Sequence, residues 1–331
     1  MLLYWDLTGG VRHGINLQQV LQQRQAINMS EFYTVYLAGR GREDDLAHEL
    51  NGHITERHGR LFLCKTPVTP VYWAQNIWYN ARKYDIKSIG DAARILKSIQ
   101  RNWALYPYDY HRRCALIAEK LPHVSAKPIV FPNAPYDTPL GSWCLLDKNT
   151  LLAASHCSEP VPNGKYEFAE NKDIPPNRAY LKLWEIFTRT GIYPTAGDKA
   201  VDLGASPGGW TWVLHELGCD VISVDKAPLD EKIQNLPRVS TFQESAFALK
   251  PEDIGPVDWL CSDIICYPDR LLSLVEKWHK SGLARNMICT LKFQSETDFK
   301  AIEKFASFNG GRILYLYCNK HELTWIWRSG T

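Results

Sequence analysis

VDLGASPGGW, residues 201–210, ends an apolar strand and opens a helix. Glycines at such a junction let the backbone approach a ligand at distances a Cβ would forbid. A dinucleotide fingerprint needs G-x-G-x-x-G, but Gly204 is followed by Gly208 and Gly209. The phosphate-binding pattern G-x-x-x-x-G-K-[ST] also fails, because Trp210 stands where the lysine belongs. A glycine loop with neither phosphate pattern fits a cofactor without a diphosphate, such as S-adenosyl-L-methionine. The same spacing disfavours a nicotinamide oxidoreductase. The stretch is too long and too specific for a plain strand-to-helix turn. It proposes Gly204, Ser206, Pro207, Gly208, Gly209 and Trp210 as cofactor-binding residues.

Strands and helices alternate on both sides of this loop. A helix is expected at 178–190, and strands at 200–205, 220–227, 239–245, 257–264 and 287–293. Helices are expected at 209–218, 270–282 and over DFKAIEKFASFN. Such alternation predicts a mostly parallel, doubly wound α/β sheet of Rossmann-like type. RILYLYC and LTWIWRS, with NKHE between them, predict an antiparallel hairpin at its end. Acids recur where the strands finish. Asp225 lies where it can take ribose hydroxyls, Glu244 and Ser245 can meet an adenine, and Asp263 ends the fourth strand. Ligands of open α/β sheets bind at that carboxyl edge.

The N-terminal half reads differently. Residues 33–64 predict strand, helix, strand, with the helix running over REDDLAHELNGHITERH. VYWAQNIWYNARKY (71–84) predicts an amphipathic element. A helix is expected over 88–107, capped by Ser88 or Asp91 and stopped before Pro107, and another over 111–121. SWCLL and TLLAAS flank a DKN turn and predict a hairpin. Prolines then crowd a linker ending in ENKDIPPNR, which divides an N-terminal α+β region, 1–170, from a catalytic domain, 171–331.

Composition narrows the class. The 331 residues are 45% hydrophobic and 22% charged, which suits an ordinary globular protein of two domains. No apolar run approaches the roughly 20 residues that span a bilayer, so no membrane partner is expected. MLLYWDLTGG lacks a signal-peptide pattern, and a cytoplasmic location is expected. Nine scattered cysteines without a C-x-x-C pair read as reduced, mostly buried thiols, and no metal site is expected. Net charge is +2, but residues 1–165 carry 19 Lys and Arg against 14 Asp and Glu, whereas 166–331 carry 19 against 22. The basic excess therefore sits in the half expected to grip phosphates. QRNWALYPYDYHRR (100–113) mixes aromatic and basic side chains as RNA contacts do, or as a core edge with a solvated end does.

Two lysines stand out against apolar neighbours: Lys182 in AYLKLWE and Lys292 in ICTLKF. Glu322 precedes the last strand in HELTWIW. R-A-Y-L-K-L at 178–183, D-L-G-A-S-P-G-G-W at 202–210, S-D at 262–263, L-K-F-Q at 291–294 and that glutamate together resemble the FtsJ (RrmJ) ribose 2′-O-methyltransferases. The resemblance spans about 178–329. It implies a catalytic Lys-Asp-Lys-Glu set, here Lys182, Asp263, Lys292 and Glu322, with Lys292 as general base. The N-terminal layout is similar to the RlmM branch, which methylates a cytidine ribose of large-subunit ribosomal RNA. That similarity implies a THUMP-related RNA-binding region and an RNA, ribosomal partner. Ser245 departs from the pattern, since related enzymes usually carry Asp there.

The chemistry implied is attack of a 2′-oxygen on a sulfonium methyl. Orientation supplies up to about 7–11 kcal/mol of such a barrier. The rest is removal of the hydroxyl proton by an amine whose free pKa is near 10.4. A second ammonium and burial favour a neutral amine, and carboxylates oppose it, so sequence leaves the balance open. SDIICYP replaces the N-P-P-Y-like tetrapeptide of base amino-methylating enzymes, and no Pro-Cys is present for base C5 chemistry. A non-catalytic RNA-binding protein retaining the fold is the rival from another class, and the intact Lys-Asp-Lys-Glu order argues against it.

Overall fold

The computed structural model describes residues 32–125, 127–135 and 138–330. The opening MLLYWDLTGG lies outside them. Two sheets organise the chain. The first uses β1 (Tyr33–Ala38), β2 (Ile54–His58), β3 (Leu61–Cys64), β4 (Ala74–Asp85), β5 (Trp103–Leu105), β6 (Gly141–Leu145), β7 (Thr150–Ala154) and β8 (His156–Cys157). Their order is β2-β3-β1-β4-β7-β6-β5, with β8 also paired to β4. All pairs are antiparallel except β5 with β6. Helices α1 (Glu43–Glu49), α2 (Ile89–Ile99) and α3 (His111–Ala118) accompany it, giving the α+β architecture expected of this half.

Local chemistry explains where these elements depart from expectation. The helix from Glu43 stops at Leu50, and Gly52 turns the chain at φ +78° into β2. Residues 54–58 are therefore strand, paired with β3, and not helix. The helix expected to reach Pro107 ends at Ile99. Gln100 is extended, and the Trp103 indole donates to the carbonyls of Leu96 and Gln100, closing the last turn. Residues 103–105 then pair with β6. Ser88 does cap that helix, accepting from Asp91 N. The amphipathic element at 71–84 is the long strand β4, and the predicted hairpin is β6–β7.

The second sheet has the order β11-β10-β9-β12-β13-β15-β14. It uses β9 (Lys199–Leu203), β10 (Asp220–Val224), β11 (Val239–Phe242), β12 (Val257–Ser262), β13 (Ala284–Lys292), β14 (Gly311–Leu314) and β15 (Glu322–Arg328). The first five strands run parallel, and β15 and β14 close the edge antiparallel. Helices α4 (Tyr180–Thr190), α5 (Gly209–Glu216), α6 (Pro268–Ser281) and α7 (Phe299–Ala306) cross over it. This is the Rossmann-like sheet with its terminal antiparallel pair. β14 is shorter than RILYLYC suggests, because Tyr315–Cys318 leave the sheet. There the Tyr317 amide is taken by the Glu185 carboxylate.

The sheets share a core. Tyr36, Phe62 and Trp73 of the first lie in one buried cluster with Leu260, Phe293 and Tyr315 of the second. His48 stacks on Phe299 at 4.0 Å, and Arg189 reaches Glu159 at 2.7 Å. These contacts fix the N-terminal sheet beside the carboxyl edge of the second.

Candidate active site

Helix α4 is apolar on most of its surface, with Tyr180 to Phe187 all buried. Lys182, Glu185 and Arg189 run through it at i, i+3 and i+7, a polar stripe that helical geometry places on one face. The helix start is locked to the glycine loop. Trp210 donates its indole N–H to Ala179 O at 3.0 Å, and a Cβ on Gly209 would fall on the Asn177 carboxamide oxygen. Gly204 holds φ +78° with Ile264 packed where its Cβ would be. The loop thus sets the register of Lys182.

The other three charged residues come from adjacent strand ends. Asp263 follows β12, Lys292 finishes β13, and Glu322 begins the antiparallel β15, directly opposite Lys292. The four meet. Lys182 Nζ donates to Asp263 Oδ1 at 2.9 Å and lies 2.8 Å from Glu322 Oε1. Lys292 Nζ is 3.0 Å from the same Asp263 oxygen and donates to the Asp263 carbonyl at 2.6 Å. The four side chains are 10–17% exposed.

Burial by itself would lower the Lys182 pKa, but Asp263 and Glu322 outweigh it and hold the amine above its ordinary value. Burial likewise opposes ionisation of Asp263, and the ammonium groups of Lys182 and Lys292 overcome it, keeping the carboxyl below its usual range. Asp263 is thus a carboxylate and Lys182 an ammonium at neutral pH.

Two cavities flank this cluster. One, about 420 Å³, is walled by Gly204, Ser206, Gly209, Trp210, Asp225, Asp263 and Lys292. The other, about 840 Å³, is walled by Lys182 and Glu322 among others. Both touch Ala179. The Lys182–Asp263 contact therefore bridges the wall between them.

The smaller cavity has the size and lining of a nucleoside-type site. Asp225 accepts from Ser206 N at 3.1 Å and from Ala227 N at 2.9 Å, one bond per oxygen. Each oxygen keeps an acceptor site for a ribose hydroxyl. Two more carboxylates, Asp202 and Asp263, line the same wall and suit a cationic ligand. These residues fit S-adenosyl-L-methionine. Pro207 and Gly208 shape the turn without lining the cavity: Pro207 O accepts from Asp230 N, and a Cβ on Gly208 would meet Ile233 at 2.8 Å. Glu244 is exposed and Ser245 half-buried just after β11, and neither lines the wall.

Sequence reasoning missed several residues. Asp202, inside an apolar strand, is fully buried, accepts from Thr211 Oγ1 at 2.8 Å, and is pushed up to about 7 by burial. Asn177, Ile264 and Ile265 also line the smaller cavity. Glu185 lines the larger one, and the helical spacing from Lys182 was the available signal. All nine cysteines are free, seven of them buried, Cys261 and Cys266 included. No cluster of three metal-ligating side chains occurs among the described residues. In the stretch 100–113, Trp103 is buried and Tyr106 packs on the first sheet's core, while Tyr110 and Arg112 are exposed. The core-edge reading of that stretch accounts for its inner aromatics.

A glycine-loop cavity on a seven-stranded sheet ending in an antiparallel pair, beside a Lys-Asp-Lys-Glu cluster, defines a Rossmann-like methyltransferase domain. Residues 175–308 match the model of the FtsJ-like methyltransferase family. Curated relatives include the ribosomal RNA large subunit methyltransferase M of Thauera aminoaromatica, 34% identical over 158 residues, covering 45% of this chain and 43% of that protein. The protein of the same name from Azoarcus sp. (strain BH72) is 37% identical over 166 residues, covering 45% of each. The chain thus matches under half the length of these relatives. Among solved structures, TrmN from Thermus thermophilus aligns over 90% of this chain and 99% of its own at 11% identity and a TM-score of 0.37.

Proposed function

We propose that this protein is an S-adenosyl-L-methionine-dependent RNA ribose 2′-O-methyltransferase acting on ribosomal RNA, as the names of its relatives suggest. The observation that carries the reading is Asp263, whose carboxylate Oδ1 contacts both Lys182 and Lys292 at the partition between two cavities. S-adenosyl-L-methionine, when bound, supplies a methyl group on an electrophilic sulfonium. Gly204, Ser206, Gly209, Trp210 and Asp225 would hold it in the smaller cavity. Residues 171–331 form the catalytic domain in this reading, and residues 1–170 the RNA-binding region.

The chain's own groups divide the remaining work. Lys182, salt-bridged to two carboxylates, stays charged and positions Asp263 and Glu322. Lys292 has one carboxylate partner and faces the cofactor cavity, so, once its own ammonium proton has passed to solvent, it is the amine that takes the 2′-hydroxyl proton. Asp263 orients Lys292 through both its carboxylate and its carbonyl. The walls supply alignment. Replacing Lys292 by Ala is expected to lower methyl transfer to ribosomal RNA by about 10²–10⁴-fold, the usual worth of a general base. Cofactor affinity, measured by calorimetry, stays within a few-fold. Retained turnover would remove Lys292 from this role.

A further inference from the structure

A third cavity, about 420 Å³, opens between the two sheets. Its cations are Arg40 and Arg42 from the β1–α1 turn, Arg60 from the β2–β3 turn, Lys165 from the linker and Lys320 from the β14–β15 connection. No Asp or Glu lines it. The neighbouring cavity beside Lys182 shares Tyr317 and Lys320 with it, but there Arg178, Lys182 and Lys320 are matched by Glu167, Glu170, Glu185 and Glu322. The excess of positive charge therefore lies on the side between the two sheets.

The inner guanidinium groups are built in. Arg60 Nε donates to Ala38 O at 3.0 Å and lies 3.8 Å from Glu43 Oε1, its Nη2 donates to Gln75 Oε1 at 2.7 Å, and Arg42 Nη1 pairs with Asp45 at 3.1 Å. Arg40, Lys165 and Lys320 at the rim are exposed and make no ion pair among the described residues. Arg42 and Arg60 are paired with acids behind the wall, so Arg40, Lys165 and Lys320 carry the uncompensated charge that focuses potential on anions in this concave site. Lys320 is two residues from Glu322, so an anion held here lies next to the catalytic cluster.

Resting on the reading of the substrate as RNA, we propose that this cavity binds a backbone phosphodiester adjoining the nucleotide presented to Lys182 and Lys292. The phosphate contact comes from Arg40, Lys165 and Lys320 over a base of Arg42 and Arg60. It ties the N-terminal sheet directly to substrate placement, because Arg40, Arg42 and Arg60 belong to that sheet's turns.

The test is a salt titration of single-stranded oligoribonucleotide binding by the full chain, comparing wild type with the Arg40→Ala/Lys320→Ala double variant. Lys97→Ala, on an exposed face of α2, serves as control. The double variant is expected to bind at least tenfold more weakly at low salt. Its slope of log affinity against log salt should fall by about 1.4, near 0.7 for each lost phosphate contact on a single strand. The KM for RNA rises more than kcat falls, while the melting temperature and S-adenosyl-L-methionine affinity match wild type. An unchanged affinity and slope in a protein that still methylates RNA would overturn this inference and leave the methyltransferase reading intact. A wild type that neither binds nor methylates RNA would overturn both. If the double variant loses affinity for polyglutamate and keeps it for RNA, the cavity serves an acidic polypeptide and the proposal fails.

Discussion

At the scale of single residues, the two lysines are not equivalent. Lys182 is held by Asp263 and Glu322 together, whereas Lys292 shares Asp263 only and adds a main-chain carbonyl. Removing Lys182 leaves the largely buried Glu322 without its counter-ion and Asp263 with Lys292 alone. Breaking a buried ion pair from one side costs roughly 3–5 kcal/mol, so Lys182→Met should lose about that much stability in urea unfolding as well as activity. Lys292→Met leaves Asp263 its contact with Lys182, so the stability loss should be clearly smaller while activity falls as far. Equal stability losses would contradict this division. The lysines and acids were legible in sequence because charged residues in apolar runs are rarely free of purpose. Which amine takes two carboxylates was not, since it depends on how α4 lies against β12 and β15.

At the scale of elements, the glycine loop and the strand ends carry the site. Gly204 has a left-handed φ of +78° and Ile264 packed against it. The left-handed conformation alone costs an L-residue about 1–2 kcal/mol. Gly204→Ala is expected to lose at least that much stability and to weaken S-adenosyl-L-methionine binding, both readable in one thermal-shift titration with the cofactor. An unaffected melting temperature would mean the loop relaxes freely. The parallel strands after the loop were legible because each is a short apolar run bounded by turn residues. Residues 54–58 and 103–105 were not, because both follow directly on helical patterns. In the second case the break is made by the Trp103 side chain reaching back to Leu96 O and Gln100 O, a tertiary event. Glu244 and Ser245 follow β11, a four-residue edge strand, and neither lines the smaller cavity.

At the scale of the whole molecule, buried acids govern the response to pH. Burial pushes Glu49, which holds the amides of Tyr72 and Trp73, and Asp202, beneath the glycine loop, up to about 7. Between pH 4 and 7 the folded chain keeps protons at these sites that the unfolded chain has released, so stability falls as pH rises through that window. His321, held low by burial and by Arg42, pulls the other way only below its ordinary value. The melting temperature is expected to drop from pH 5 to pH 8, and Asp202→Asn should flatten the drop. A melting temperature that climbs over this range would contradict the assignment. None of this was visible in sequence, where Glu49 and Asp202 look like any other acid. The basic bias of the N-terminal half was visible, but its concentration at one interdomain cavity required the fold.

The proposed reaction is delivery of a methyl group to a sugar oxygen across the partition held by Asp263. The most direct measurement is nucleoside mass spectrometry of ribosomal RNA incubated with the protein and isotope-labelled S-adenosyl-L-methionine. The account predicts label on a ribose 2′-oxygen, lost in Lys292→Ala. Label on a base, or no label in RNA, would contradict it.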